Sequence, residues 1–158
     1  AQATETQAAA DAAIESAKAS LDAIDTENAG PRTLLLEWVD PAYSPGHWVP
    51  EQLIAAGCPS AIGAPGDHSR AMSWDEVKAA NPEAIGIICC GYGLADNVKF
   101  AKHVRNHAEV ASWFHGPLVA FDANRMFSRP TLSVVDGAQR IHDAFVLGKE
   151  SGDGFQAV

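Results

Sequence analysis

The sequence predicts an α/β fold, a three-layer sandwich in which a mostly parallel sheet lies between helices, preceded by a long N-terminal helix. Apolar segments with the length of buried strands, at residues 34–36 and 85–90, are separated by segments of helical periodicity. A capping box starts one helix, and proline or glycine ends others. Strands separated by helices join through right-handed crossovers, so they run parallel and both faces of the sheet are covered.

The first predicted element is a helix over residues 1–30. Alanine dominates this segment, and Ile14, Leu21 and Ile24 recur at helical spacing. Gly30 followed by Pro31 is a stop signal. The apolar stripe is narrow, which suits packing against a neighbour, and we therefore expect residues 1–30 to form a helical arm.

The remaining elements alternate between strands and helices. Three strands are predicted, at residues 33–39, 84–90 and 117–122. Five helices are predicted, at residues 47–56, 73–81, 96–107, 109–114 and 131–147. Ser73 and Glu76 are the two members of the capping box. Residues 31–150 are thus expected to form one α/β domain, and residues 151–158 a frayed tail.

Composition excludes several classes of function. The formal net charge of −9 argues against nucleic acid and against anionic membrane surfaces, because both attract clusters of lysine and arginine. The sequence has no apolar run of about 18 residues, the length that suggests a membrane span. An apolar content of 47% is that of a globular protein.

Catalytic and metal motifs are weak. His103 and His107 have the i, i+4 spacing of zinc ligands, but Lys102 stands before His103 and no His-Glu-x-x-His pattern occurs. Gly91-Tyr92-Gly93 after a strand lacks the third glycine of a dinucleotide site. Cys90 would be an activated thiol only if the next helix lowered its pKa. We predict a protein that is not an enzyme and has no metal or cofactor of its own.

Three loops follow the predicted strands, at residues 38–48, 90–94 and 122–130. Ligands of parallel sheets bind beyond the carboxyl ends of the strands, where these loops meet. The loops concentrate aromatic side chains with few polar groups, a mixture that suits a large, flat, partly apolar ligand. Alternatively, the aromatic rings simply cover the end of the sheet. The predicted ligand-binding residues are Trp38, Tyr43, His47, Trp48, Cys90, Gly91, Tyr92, Asn124, Phe127 and Arg129.

Several segments in these loops and the adjoining helices resemble one known family. The segments lie at residues 37–41, 46–51, 55–57, 73–77, 81–85, 127–130 and 135–137. In this order they resemble the C-terminal lobe of class III periplasmic substrate-binding proteins of ABC transporters, the cobalamin and iron-siderophore type. Cys90-Gly91-Tyr92 is similar to the Pro-Cys-Gly-Phe turn of that family, with Cys89 in place of proline. The resemblance covers about residues 32–147. After Arg129-Pro130, where the family usually has Gly-Pro-Arg, this chain has residues 131–133 as Thr-Leu-Ser.

The resemblance implies one lobe of a bilobal binding protein, with residues 1–30 in the place of the last part of the helix between the lobes. It implies a corrinoid, haem or ferric siderophore as ligand, an ABC permease as partner and an extracytoplasmic location. It also implies acidic residues that dock on the permease, for which Glu51, Asp75 and Glu76 are candidates. Two alternatives stay open: an accessory subunit of a larger complex that uses the same fold, and a homodimer of two lobes around a ligand.

Overall fold

Eight short strands and seven α-helices make up the structure, a computed structural model that describes residues 6–158. The strands are β1 (Thr33–Leu36), β2 (Trp38–Val39), β3 (Ala42–Tyr43), β4 (Ala71–Met72), β5 (Ala84–Ile87), β6 (Leu118–Phe121), β7 (Ser151–Gly152) and β8 (Phe155–Ala157). The helices are α1 (Gln7–Asp22), α2 (Val49–Ala55), α3 (Trp74–Ala80), α4 (Leu94–Asn106), α5 (Ala108–Ala111), α6 (Ala123–Met126) and α7 (Val134–Ile141), and a π-helical turn (His142–Val146) extends α7.

The main sheet has the strand order β1-β5-β6-β8-β7. β1, β5 and β6 are parallel, with Leu34 beside Ile85 and Ile85 beside Leu118. β8 pairs with β6 in the antiparallel direction, and β7 pairs with β8. The predicted mostly parallel sheet is confirmed.

Helices cover both faces of this sheet, and each face has its own core. Successive residues of a strand point to opposite faces. Leu35 therefore packs in one core with side chains of α2 and α7, whereas Leu34 and Leu36 pack in the other core with side chains of α4 and α5. The predicted three-layer arrangement is thus confirmed. None of the helices within residues 6–158 combines the length and the apolar character that crossing a membrane requires.

The first predicted strand was too long. It is interrupted after Leu36, and the backbone N–H of Glu37 donates to the carbonyl of Tyr43 at 3.2 Å, so the chain turns out of the main sheet. β2, β3 and β4 form a second, antiparallel sheet in the order β2-β3-β4. Residues 40–46 and 57–72, for which the sequence predicts neither a helix nor a separate strand, therefore each supply one strand.

The N-terminal helix ends earlier than predicted. α1 stops at Asp22 instead of residue 30, and the first five residues of the prediction lie outside the described residues. Beyond the helix, the N–H of Glu27 donates to the carboxylate of Asp25 at 3.0 Å, a local turn that competes with helix. Ile24 is buried, whereas α1 itself has no buried residue and contacts α7.

The prediction that residues 151–158 form a frayed tail is wrong. β7 and β8 form a hairpin, and β8 extends the main sheet beside β6. Phe155 is buried against Phe121, with ring centroids 6.0 Å apart. The Asp153-Gly154 pair, with Gly154 at φ +82°, provides the turn. Pairing with β6 stabilises a segment that is too short and polar to form a strand alone.

A buried carboxylate connects this hairpin region to the end of α7. Asp143 accepts hydrogen bonds from Lys149 at 2.9 Å and from Arg140 at 3.2 Å, and Arg140 also reaches Asp153 at 3.5 Å. Burial raises the pKa of Asp143, but the bonds from Lys149 and Arg140 outweigh it and hold the pKa below its ordinary value of 3.8. The carboxylate therefore stabilises the fold in its ionised form.

We expect this stabilisation to depend on pH. Because the pKa of Asp143 is lower in the folded state than in the unfolded state, its contribution is present at neutral pH and is lost as the pH falls below 3.8 and through the folded pKa. Urea unfolding should show Asp143→Asn less stable than wild type at pH 7, with a smaller difference at about pH 3. The exposed Asp75→Asn should change stability little at either pH. A difference that stays constant with pH would contradict this role for Asp143.

Candidate functional site

A groove of about 430 Å³ opens where β1 and β5 end, beside the small sheet. Its walls come from the β2–β3 hairpin, from the segment before β4 and from the turn after β5. The lining residues are Glu37, Trp38, Pro41, Tyr43, Ser69 and Cys90. The volume lies in the range of small-molecule sites, and the position is the one that parallel sheets use for ligands.

Aromatic side chains from two loops meet at this groove. Trp38 and Tyr43 face each other across the β2–β3 hairpin, and the indole N–H of Trp38 donates to the carbonyl of Asp40 at 3.0 Å. The Trp38 ring lies 5.7 Å from Tyr92 and 6.0 Å from Phe100, measured between centroids. Tyr43 and Tyr92 are each 36% exposed. The structure thus brings together three of the predicted aromatic residues and leaves part of their surface accessible.

Asn97 holds the turn that carries Tyr92. Its buried side chain accepts from the N–H of Cys89 at 3.0 Å and donates to the carbonyls of Phe121 at 2.8 Å and Tyr92 at 3.3 Å. One amide therefore ties the segments that follow β5 to the end of β6. Asn97 is not among the residues predicted for the site. A usable signal was its position on the buried face of α4, where it lies four residues before the apolar Ala101.

Glu37 and Ser69 are further groove residues that the sequence prediction omitted. One carboxylate oxygen of half-buried Glu37 accepts from the N–H of Gly46 at 2.9 Å. The hydroxyl of Ser69 donates to the carbonyl of Ser44 at 2.9 Å. These bonds fix the first loop against the segment before β4. The available signal for Glu37 was its position directly after a buried strand.

The second and third loops are joined by backbone bonds. The N–H of Gly91 donates to the Ser128 hydroxyl at 2.9 Å, and the N–H of Asn124 donates to the carbonyl of Tyr92 at 2.9 Å. The Gly91 amide is therefore already occupied within the protein. Asn124 and Arg129 are exposed at the third loop, and neither lines the groove.

Three other predicted ligand-binding residues also lie away from the groove. Trp48 packs against the core on the α7 side, and its indole N–H donates to the carbonyl of Phe127 at 3.1 Å. Phe127 is only 2% exposed and belongs to that core, so we remove it from the ligand-contacting set. The exposed ring of His47 lies 5.5 Å from that of His68, outside the groove lining. The beginning of α2 directs Trp48 toward α7, which sequence spacing does not reveal.

The cysteines at the end of β5 are not activated. Partial burial and the negative charge of Glu37 raise the pKa of the Cys90 thiol, although a hydrogen bond with Ser128 opposes this. Burial raises the pKa of Cys89 to about 12. Both thiols are therefore protonated at neutral pH, which is the weakly nucleophilic form. The alternative of an activated Cys90 thiol is contradicted.

The histidine pair at the end of α4 has no third metal ligand among the residues that the structure describes. The rings of His103 and His107 lie 6.3 Å apart, and His107 packs on Trp74 with centroids 5.5 Å apart. Within residues 6–158, no group of three or more histidine, cysteine or carboxylate side chains is arranged to hold a metal ion. Neither histidine lines the groove, which offers a ligand aromatic contact surface and hydrogen-bond acceptors.

The three candidate docking carboxylates differ in their surroundings. Glu51 lies exposed in the first turn of α2, and Asp75 lies exposed in the first turn of α3. Glu76 closes the capping box with Ser73 and pairs with Arg70 at 3.0 Å. Glu76 is therefore partly committed to local structure, whereas the carboxylates of Glu51 and Asp75 have no ion-pair partner within residues 6–158.

Comparison with known proteins identifies the fold. No protein-family model matches the chain, and no curated protein is significantly similar to it. An ABC-transporter substrate-binding protein from Listeria monocytogenes EGD-e aligns with 86% of this chain and 56% of its own, at 13% identity and a TM-score of 0.71. The periplasmic haem-binding protein BhuT, in complex with two haems, aligns over 91% and 59%, at 21% identity and a TM-score of 0.65. The vitamin B12-binding protein BtuF of Vibrio cholerae aligns over 88% and 51%, at 14% identity and a TM-score of 0.55.

The chain spans between 51% and 59% of the length of these three structures. In this chain, parallel strands lie between helices and a groove opens at the carboxyl ends of those strands. The chain therefore has the fold of one lobe of the class III periplasmic substrate-binding proteins, as the sequence resemblance predicted.

Proposed function

We propose that this chain binds a large chelate or tetrapyrrole-like ligand, such as a corrinoid, a haem or a ferric siderophore, without chemical conversion and as part of ABC-type uptake outside the cytoplasm. The observation that carries the proposal is the groove beside Trp38, Tyr43 and Tyr92. Exposed aromatic surface in a concave site is costly to leave in water and is therefore typical of ligand contact.

The surroundings of the groove support a binding role. The bond to Asp40 fixes the Trp38 indole, and the Asn97 bonds fix the backbone turn that carries Tyr92, so less freedom of these groups remains to be lost when a ligand binds. The proteins of similar fold are named for binding haem and vitamin B12. In such a role, free carboxylates at Glu51 and Asp75 would face basic residues of a permease.

The exposed arm favours a second candidate function. α1 has no buried residue, and Ile14 is 46% exposed on it. An exposed apolar side chain on an alanine-rich helix suits docking on another subunit, so an accessory role in a larger complex is our second candidate. Native mass spectrometry of the protein from its source separates the two functions. Extra mass equal to a chelate supports binding, and recovery of the ligand-free chain only within a larger particle supports the accessory role.

Substitution of Trp38 tests the proposed site. Titration with cyanocobalamin, ferric protoporphyrin and a ferric hydroxamate, followed by tryptophan fluorescence and calorimetry, should identify at least one chelate that binds wild type. We expect Trp38→Ala to weaken that binding about tenfold or more, because it removes the largest aromatic face of the groove.

Trp48→Leu is the matched control for this titration. Since Trp48 packs on the α7 side, we expect the affinity to stay within about threefold of wild type. Circular dichroism establishes that both variants are folded. Wild-type affinity in Trp38→Ala, or loss of binding only in Trp48→Leu, would contradict the proposed site.

A further inference from the structure

The groove carries a single formal charge, and it is negative. Among the six lining residues, only Glu37 is charged at neutral pH. Arg70 follows Ser69 in the chain, but its guanidinium pairs with Glu76 at 3.0 Å and donates to the carbonyl of Ala71 at 3.2 Å. An anionic ligand would therefore find no lysine or arginine in the groove lining.

The carboxylate of Glu37 is positioned and only partly satisfied. One oxygen accepts from Gly46, and no donor within residues 6–158 reaches the other oxygen. The negative charge of Glu37 also contributes to the raised pKa of the Cys90 thiol, which lines the same groove. Its field therefore acts inside the groove, where partial burial weakens the screening by water.

The side-chain donors at the groove are largely used by the protein itself. The indole N–H of Trp38 is directed to the carbonyl of Asp40, and the hydroxyl hydrogen of Ser69 is directed to the carbonyl of Ser44. The aromatic rings of Trp38 and Tyr43 add faces with negative electrostatic potential. The groove thus offers acceptors and π-faces to a ligand, and few donors.

We propose that the groove selects chelates that carry a positive charge or hydrogen-bond donors at their edge, and that Glu37 is the residue that determines this specificity. The inference rests on the proposed function, because it distinguishes the chelates proposed there by the charge at their edge. The ligand edge enters beside Glu37 and its ring system lies against Trp38. Chelates with carboxylate or sulfonate edges bind more weakly, because their charge would lie unpaired beside another carboxylate. Among the proposed ligands this disfavours haem, whose two propionates form such an edge, and favours a corrinoid with its amide side chains.

Two ferric porphyrins of similar size and opposite charge test this inference. The cationic tetrakis(N-methylpyridyl) and the anionic tetrakis(sulfonatophenyl) complexes are titrated into wild type by calorimetry at two salt concentrations. We expect the cationic complex to bind at least about tenfold more tightly. In Glu37→Gln this ratio should fall severalfold, and the fold is preserved because the amide oxygen still accepts from Gly46.

The control is Asp75→Asn, which removes the same charge from an exposed site outside the groove. It should leave the ratio unchanged, which separates the effect of Glu37 from the general attraction of a protein with net charge −9. Equal binding of both porphyrins, tighter binding of the anionic one, or an equal effect of the two substitutions would overturn the inference while the proposed function stands. Binding of neither porphyrin overturns the inference if cyanocobalamin or another chelate binds, and overturns the proposed function if none does.

Discussion

Replacing Asn97 by alanine is expected to lower the free energy of unfolding by about 3 kcal/mol, one of the largest effects of a single substitution in this protein. The change leaves the N–H of Cys89 without its partner and removes the side-chain donor to the carbonyls of Phe121 and Tyr92, of which Tyr92 keeps the bond from the N–H of Asn124. The Asn97 side chain lies in a buried position. Each unsatisfied buried group costs about 1–3 kcal/mol, and the cavity left by the shortened side chain adds to this cost. Urea unfolding at pH 7 measures the effect.

Two further variants show whether the hydrogen bonds are responsible. Asn97→Asp can still accept from Cys89 but cannot donate to the two carbonyls, so we expect it to be at least as destabilising as alanine. Asn106→Ala lies at the exposed end of the same helix, where the side chain bonds only to the carbonyl of Lys102 at 2.9 Å, and should cost less than about 0.5 kcal/mol. Equal stability of Asn97→Ala and Asn106→Ala would refute the assigned role.

Gly46→Ala is expected to weaken ligand binding strongly by distorting the groove. A Cβ at this position would collide with the backbone N of Ser69 and would lie 3.0 Å from the carbonyl oxygen of Asp67. Backbone atoms cannot move aside by a side-chain rotation, so the segment that carries Ser69 must shift. The N–H of Gly46 also donates to Glu37, which would shift with it. We expect a loss of affinity for the chelate found by titration of about tenfold or more, with destabilisation of about 2 kcal/mol.

Gly93→Ala is the matched control near the same site. Gly93 has φ −82°, a conformation that alanine adopts freely, and a Cβ there would have Asp122 Oδ1 at 4.0 Å as its nearest neighbour. We therefore expect wild-type affinity and nearly wild-type stability. If Gly46→Ala bound the chelate as wild type does, the contact between the first loop and the Ser69 segment would not shape the site.

The main sheet was predictable because its strands are buried on both faces. Such strands appear as continuous apolar runs, and β1, β5 and β6 fall within the segments predicted from those runs. The capping box of Ser73 and Glu76 was equally readable, since both partners lie within four residues of each other. The β7–β8 hairpin was not predicted, because its residues are mostly polar and depend on β6 for pairing.

The candidate site was predictable in its location but only partly in its residues. The three loops do meet at the carboxyl end of the sheet, and Trp38, Tyr43 and Cys90 do line a groove there. Trp48 belongs to the same loop and has the same chemistry as Trp38, yet it faces α7. Nothing in the local sequence distinguishes the two indoles, because their directions follow from the docking of the hairpin and of α2.

The fold class, the order of the main parallel strands and the edge of the sheet that carries the groove follow from the sequence alone. These depend on periodicity, on caps and on the parallel direction of the strands, all of which are local or follow from chain connectivity. Three roles become visible only in the folded chain. Glu37 supplies the charge of the groove, Asn97 fixes the Tyr92 turn, and Phe127 belongs to the hydrophobic core. Those roles depend on partners or neighbours that are distant in the sequence, such as Phe121, which lies 24 residues from Asn97, so they arise only when the packed chain brings the groups together.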